Sequence, residues 1–523
     1  MYHINSKEAK PDIAYLKEQV EEMMKRGIHI GDVGFIYNTF LKDKEEMAVE
    51  LAKNYGISNP NSSKELIKFI SQIESSEVYE ACFIDGKWTT NRDALKTLSL
   101  LGYQFATDIL EYRQAKKYAE SIKSMSDAAD DVGNVHPIVN LSKTNRINYS
   151  SPALMNIPKS LLWHVVKPNN PGNILISADI KNQEPNILIN ILGIESLKPA
   201  LEDPKGLYEH MFERVYSAKA NINILVTDGF PAGKIENSTL AEIQAVPPVP
   251  PVYYAASQPS VQSTYYNNVR VRAIDATNIV AKVGSTDVEL PSTVLIETID
   301  NEQHEVPVIW GTYNKKLLAK RGVISFTGEL QGVEIRCEGI YRKEFKVAWN
   351  MMTYGAGKFG VEKSCKHISG KMAYDFFMSL KELKIYRDRC TKMSKSLNQK
   401  INTYFGTTLS AGENDPNRLK RILMDLPIQG TAADILSLLI KHCRETIDSN
   451  GLKDKLHIVY TRHDEIIFEA DKDWASEIGI DGVNQVIRDM VEHQVDDWTP
   501  FKLEVNVVKA DRSYLNESDY DLD

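Results

Sequence analysis

The sequence predicts an α+β fold divided into more than one unit, and three observations lead there. Helix-spaced apolar residues dominate up to about residue 125 and again from Tyr341 onward. Between them, from about 217 to 340, β-branched, Tyr-rich and Pro-rich segments take over, as in VPPVPPVYYAA, NNVRVRAI, TNIVAKV and EVPVIWGTY, which reads as an inserted β-rich module. The length of 523 residues also exceeds the roughly 250–300 at which single cores stop growing.

The elements follow in order. The first 55 residues read as helical and charged, with MMKRGIHIGD (Met23–Asp32) as a helix stop. Asn59 to Met125 is again mainly helical, opening on the capping cluster of NPNSSKELIKFI. His136–Ser160, rich in Asn, Ser and Pro, is expected to be mostly irregular. NILISADI (Asn173–Ile180) is an apolar run of strand length, followed by a helical stretch through EPNILINILG. Helical patterning returns through RILMDLPIQGTAADILSLLIKHCRE, and LHIVY-TRHDE-IIFEA reads as strand, tight turn and strand.

Composition narrows the class. With 42% hydrophobic and 25% charged residues, and no apolar run approaching the ~18 residues of a membrane helix, a soluble globular chain without a membrane partner is expected. The N-terminus, MYHINSKEAKPDIAYLKEQ, has neither a basic n-region nor an apolar h-region, so it does not read as a secretory signal. Five scattered cysteines (Cys82, Cys337, Cys365, Cys390, Cys443) with no CxxC pair fit a reducing compartment and argue against zinc. A net charge of −9 argues mildly against nucleic acid, although phosphate tracking needs only a local basic surface. The run Ile109–Met125, with Arg113, Lys116, Lys117 and Lys123, offers such a surface or is a solvated helix face.

Three motifs carry chemistry. SADIKNQEP sets Asp179 at the end of an apolar strand, and TRHDEIIFEA sets His463 and Asp464 at an exposed hairpin tip, so the two acids read as a divalent-metal pair. Each also has a bland reading, Asp179 as a strand-end or capping residue and Asp464 as a turn residue. In RKEFKVAWNMMTYG, Arg342, Lys346, Asn350 and Tyr354 recur every fourth residue and form a slowly turning stripe on a helix. At ~1.5 Å per residue this stripe spans about 18 Å, roughly an extended nucleoside triphosphate, with cations at one end and an aromatic at the other. On a solvated helix the same cations would carry no message.

Taken together, residues 56–216 and 341–523 resemble family A DNA polymerases, the polymerase I type, and especially bacteriophage members. The specific element is joint spacing: Arg342, Lys346, Tyr354 and Gly355 as R-x3-K-x7-YG, then Arg421 and Gln429–Asp434 as R-x7-QGTAAD, then His463–Glu465 as HDE. The resemblance implies a right-hand fold with a β-rich insertion in the fingers. It implies an N-terminal helical segment at 1–55, thumb at 56–135, palm at 136–200 and 425–523, and fingers at 201–424 with the insertion at about 217–340. By the same resemblance Asp179 and Asp464, with the Ile180 carbonyl, hold two Mg²⁺ ions, with Mn²⁺ as a substitute. Lys346 stabilises the leaving pyrophosphate, Arg342 grips phosphates, Asn350 and Tyr354 line the nucleotide, and Glu184 excludes a 2′-hydroxyl. Arg146, Asn156, Arg421, Gln429, His463 and Glu465 contact primer-template DNA.

Three positions depart from the family pattern. Asn350 stands where an aromatic is usual, Ile180 where a Tyr is common, and Asn186 where an Arg is common. Residues 1–55 leave no room for the proofreading exonuclease domain usual in this type, so exonuclease work is expected from a separate chain. The implied activity is primer-dependent DNA synthesis from dNTPs by two-metal phosphoryl transfer, in phage genome replication within the host bacterial cytoplasm. The partners implied are primer-template DNA, dNTPs and a replication protein or separate exonuclease. A single-subunit RNA polymerase and a catalytically silent DNA-binding replication factor are the alternatives.

Overall fold

A computed structural model describes residues 1–31, 33–84, 86–100, 102–216, 219–227, 233–234, 264–274, 277–337, 339–365 and 367–508, and it mixes helices and strands as expected. The chain forms two compact units, Met1–Gln183 with Asn402–Leu409 and Gln429–Asp523, and Glu184–Ile401 with Ser410–Ile428.

The first unit is built on a four-stranded antiparallel sheet in the order Leu456–Arg462, Glu465–Ala470, Ile174–Ile180, Leu503–Val507. Glu465–Ala470 is buried throughout and Ile174–Ile180 nearly so, which is why both read as continuous apolar runs rather than alternating ones. The helices Ile13–Arg26 and Lys472–Val491 pack against this sheet. Asp12 caps the first of these by accepting the Tyr15 N–H at 2.9 Å, and Gly27, at φ +86°, ends it inside the expected stop. The capping cluster before Ser63–Ile70 also acts as read: Ser62 accepts the Glu65 N–H at 3.2 Å, and the Glu65 carboxylate turns back to the Ser58 hydroxyl at 2.9 Å. Leu51, Leu66, Ile70, Leu95, Leu98, Phe105 and Ile109 close a separate core among these N-terminal helices.

Two expectations need correction here. His136–Ser160 is not mostly irregular, since it contains a hairpin of Ile138–Leu141 and Ile147–Ser150 and the start of the helix Lys159–Val165. Val139, Ile147 and Tyr149 are buried while Asn140 and Asn148 face out, so the polar residues are the outer face of a ribbon. The second concerns apolar length: the 34-residue helix Pro416–Ser449 is long and apolar enough by composition to cross a membrane, and 83% of its apolar window is buried. Asp425, Gln429 and Asp434 interrupt it, so its continuous apolar runs are short although the window as a whole is apolar.

The motif QGTAAD lies on this helix, and its residue types follow from packing. A Cβ on Gly430 would sit 2.4 Å from Leu409 Cδ1 and 2.8 Å from Thr403 Cγ2, so a larger residue would have to displace these side chains of the 403–409 turn. Thr431 Oγ1 then accepts the Tyr404 N–H at 3.0 Å, and Asp434 accepts the hydroxyls of Thr403 (2.6 Å) and Thr407 (3.0 Å).

In the second unit nine strands form one sheet among the described residues: Gly233–Lys234, Thr277–Lys282, Lys219–Thr227, Gly322–Leu330, Gln303–Trp310, Thr293–Thr298, Val269–Ile274, Thr264–Tyr266 and Val333–Ile335. Its pairings are antiparallel except that of Thr277–Lys282 with Lys219–Thr227. Ile222, Ile224, Val226, Ile279, Leu318 and Ile324 make a core under this sheet. The segment VPPVPPVYYAA lies outside the described residues. The helices Leu207–Val215, Gly339–Thr353, Gly370–Ser379 and Lys381–Lys395 complete the unit around Phe212, Phe345, Trp349 and Phe377.

Burial raises the Asp434 pKa to about 6, outweighing the two hydroxyls that favour its ionised form. A carboxyl raised by folding contributes stability below its unfolded pKa and loses it as pH rises through the folded value. Stability should therefore fall between about pH 4 and pH 6, and Asp434→Asn should flatten that part of a Tm-against-pH curve.

Candidate functional site

In the first unit the ladder brings the predicted acids together. Asp179 pairs in register with Glu465 on one side and Glu504 on the other, so three carboxylates stand in a row on one face of the sheet. The hairpin Leu456–Ala470 turns through only His463 and Asp464. His463 is exposed at φ +54°, a left-handed conformation uncommon for a residue with a Cβ, and Asp464 follows it half-buried. The Ile180 N–H donates to the Asp464 carbonyl at 3.1 Å, which fixes the backbone of one acid beside that of the other.

Two lysines offset part of the charge of this row. Lys159, first residue of the helix Lys159–Val165, bridges Asp179 Oδ2 at 2.6 Å and Glu465 Oε1 at 2.9 Å. Half-burial lowers its ammonium pKa, and the two carboxylates more than offset this, so the net shift is upward. Lys181 pairs with Glu504 and holds that carboxyl below its usual range. Glu465 is only 3% exposed and also accepts the Ser177 hydroxyl, so its carboxylate is engaged inside the unit.

The second unit contains the cation helix Gly339–Thr353, with Tyr341, Phe345, Ala348, Trp349 and Met352 buried on one face. Arg342 and Lys346 are exposed on the other, and Asn350 and Tyr354 are half-buried. The helix ends in a Schellman motif: Ala356 N–H reaches the Met351 carbonyl at 2.8 Å and Gly355 N–H the Met352 carbonyl at 3.2 Å. Tyr354 is thus the C-cap, and Gly355 supplies the required φ of +89°. Buried Arg387 donates to the carbonyls of Met352 (2.7 Å) and Ala356 (2.8 Å), placing a cation at the negative end of the helix.

Each end of the stripe has an acidic partner. Arg342 Nε donates to Glu209, and its guanidinium lies 5.7 Å from the Tyr208 ring centroid. The Tyr354 hydroxyl donates to Glu184, and these two line a small recess with Pro185, Leu188, Trp349, Asn350, Thr353 and Ile428. Asn186 is buried and receives the Asn190 amide at 2.7 Å, a helix-internal contact at a position where the family has a cation.

Arg421 stands beside the end of the cation helix, its Cγ 3.7 Å from where a Cβ on Gly355 would be. Arg146 is half-buried at the base of the turn joining the hairpin Ile138–Ser150, and Gln429 is half-buried beside Gly430. Arg421 is exposed on the long helix. Asn156 ends the short 3-10 turn Leu154–Asn156, and its side chain lies outside the described residues. Arg113 is engaged with Thr90, and Lys116 and Lys123 pair with Glu120 and Asp127, which favours the solvated-face reading of that helix. Sequence reasoning missed Lys159, Glu504 and Glu209. Strand alternation in FKLEVNVV is the one signal that could have raised Glu504; the other two depend on tertiary register.

Among the described residues no three or more His, Cys, Asp or Glu side chains form a ready metal cage. The donor set nevertheless fits a hard cation: Asp179 and Asp464 offer only oxygen, their backbones are joined, and an ammonium already stands against Asp179. At the helix C-terminus, Gly355→Ala should cost about 1–2 kcal/mol from the left-handed φ and a Cβ 2.9 Å from Met424 Sδ. Chemical denaturation of the variant checks this.

Comparison with known proteins accords with this geometry. The family model "DNA polymerase family A" matches residues 36–223 and 329–513, well over half of the chain. A bacterial Ig-like domain (group 4) model matches residues 274–333, inside the nine-stranded sheet. A DNA polymerase I of Caldicellulosiruptor bescii is 32% identical over 141 residues, covering 24% of this chain and 16% of that protein. One from Rhizobium leguminosarum is 28% identical over 128 residues, 23% of this chain and 12% of that protein. The chain therefore aligns to less than a fifth of the length of either relative. The polymerase domain of Pol1 from M. smegmatis, solved with DNA primer-template and dNTP, superimposes with a TM-score of 0.60 at 15% identity, covering 94% of this chain and 68% of that one. That likeness establishes the right-hand polymerase fold, and with the family match it makes this chain a member of DNA polymerase family A.

Proposed function

We propose that the chain is a DNA-directed DNA polymerase that extends a primer on a template from dNTPs. The observation that carries the reading is the pairing of Asp179 with Asp464 through the Ile180 N–H, in a chain of this family. Two Mg²⁺ ions, held by Asp179, Asp464 and the Ile180 carbonyl, would supply Lewis acidity at the primer 3′-hydroxyl and the triphosphate oxygens when bound. The protein's part is positioning. The antiparallel ladder sets the position of Asp179, and the Ile180 N–H holds the backbone of Asp464 beside it, so less ordering is left to the reaction step.

On the cation helix, Arg342 can fork onto phosphate oxygens and Lys346 can place a point charge on the departing pyrophosphate. Tyr354 and Glu184 close the recess at the other end, and Glu184 would occupy the space beneath the sugar C2′. That arrangement favours a deoxynucleotide over a ribonucleotide, which supports DNA over RNA synthesis. Arg146 and Gln429 would test base-pair geometry through minor-groove acceptors, which sit alike in all pairs. Arg421, His463 and Asn156 would add DNA contacts.

Template-directed extension with Mg²⁺ tests the proposal. Asp179→Ala and Asp464→Ala should each reduce extension to below about one-thousandth while changing primer-template affinity little, since each removes an oxygen ligand and no cation. Near-normal extension by either variant would contradict the assignment. Glu184→Ala should narrow the dNTP/NTP ratio of kcat/KM by roughly tenfold or more; an unchanged ratio would mean the sugar gate lies elsewhere.

A further inference from the structure

Three carboxylates in adjacent register positions repel one another, and the strands hold them roughly 5 Å apart at Cα. Without counter-charge the row Glu465, Asp179, Glu504 would weaken the central ladder of the first unit. Two ammonium groups offset it, and they divide the task unequally. Lys181 serves only Glu504, at one edge. Lys159 serves both Asp179 and Glu465, and its carboxylate partners are 22% and 4% exposed at the side chain against 42% for the lysine itself. The ammonium thus reaches a partly closed acidic row from the solvent side, on a flexible stem rooted at the first residue of a short helix.

Lys159 takes Oδ2 of Asp179, one of only two oxygens that this carboxylate offers a divalent ion, and an ion on either would stand close to the ammonium. An ammonium at 2.6 Å and a hard cation at about 2.0–2.1 Å cannot share that oxygen on the same side without strong repulsion between like charges. Glu465 has another hydrogen-bond donor, Ser177, so it remains held if the lysine moves. We infer that Lys159 is a resident counter-ion for the metal site: it holds Asp179 and Glu465 together in the metal-free chain and swings off Asp179 when a divalent ion binds. Metal binding is then an exchange of one cation for another, and Lys159 sets its affinity as a positioning residue. The inference rests on the proposed function only in taking Asp179 as a metal ligand.

Two measurements on the full chain, free of DNA and nucleotide, test it with Mn²⁺ as the probe. In the first, Mn²⁺ binding is followed by electron paramagnetic resonance for the unmodified chain, Lys159→Met and Asp179→Ala. Lys159→Met keeps the apolar stem and loses the charge, so it should bind Mn²⁺ roughly three- to tenfold more tightly. A merely structural lysine would give the opposite sign, because a disordered acidic row binds more weakly. Equal or weaker binding by a folded Lys159→Met chain overturns the inference. Asp179→Ala separates this from the larger reading: if it leaves Mn²⁺ binding intact, the metal lies elsewhere and the two-metal assignment itself fails.

The second measurement needs no variant and stands even if Lys159→Met does not fold. The rate at which an amine-reactive acetylating reagent modifies Lys159, read by mass spectrometry, should rise severalfold when Mn²⁺ is added, because the ammonium leaves its carboxylate. Lys181, paired with Glu504, is the internal control and should change little. A Lys159 rate that stays constant or falls on adding Mn²⁺ would overturn the exchange.

Discussion

The hydrogen bond from the Ile180 N–H to the Asp464 carbonyl is the constraint on which the candidate chemistry of the first unit depends. It joins a strand near residue 180 to a turn near residue 464, segments almost 300 positions apart, and continues the ladder that pairs Asp179 with Glu465. Because side chains alternate with a period of two, a one-residue slip would send Asp179 to the opposite face. Burial of the Glu465–Ala470 strand on all positions forbids that slip, since polar Glu465 would exchange places with apolar neighbours. Core packing therefore sets the position of the acids, and the tight turn of His463 and Asp464 adds a strained left-handed residue where an exposed functional tip is needed.

The second unit solves a related problem with a helix. Its apolar face, through Phe345, Trp349 and Met352, is anchored among aromatic rings, so Arg342, paired with Glu209, and Lys346 are presented on the other face without cost to packing. The C-terminal end is held from three directions, by the Schellman bonds, by Arg387 on two carbonyls and by Tyr354 on Glu184. Such over-determination is what a ruler for a long, charged ligand requires, because an end that frays would lose the register between cations and aromatic.

Much of this was legible in the sequence, and the limits have physical causes. Asp179 and Asp464 stood out because each stands at the tip of an apolar strand, and the stripe from Arg342 to Tyr354 because helical periodicity is strong there. Gly355 could be placed at the helix end from its residue type, and Gly430 was marked by its motif although the reason, the approach of the 403–409 turn, is tertiary. Lys159 was invisible: it lies inside a segment read as irregular, and only the tertiary fold brings it to Asp179. The hairpin Ile138–Ser150 was missed because its strands are short and carry Asn140, Asn148 and Ser150, residue types that also mark turns. The strand Tyr2–Ile4 was missed because three residues paired with His493–Val495 leave no periodic signal. The mixed helix and strand class, by contrast, followed from long periodic segments, and the right-hand architecture from the family resemblance that the motifs carry.

The most direct test of the account is anomalous diffraction from the chain crystallised with primer-template DNA, a dNTP and Mn²⁺. The account requires two Mn²⁺ peaks about 3.5–4 Å apart, each within bonding distance of oxygen from Asp179 or Asp464. Peaks that avoid both aspartates, in crystals where DNA and nucleotide are bound, would contradict it.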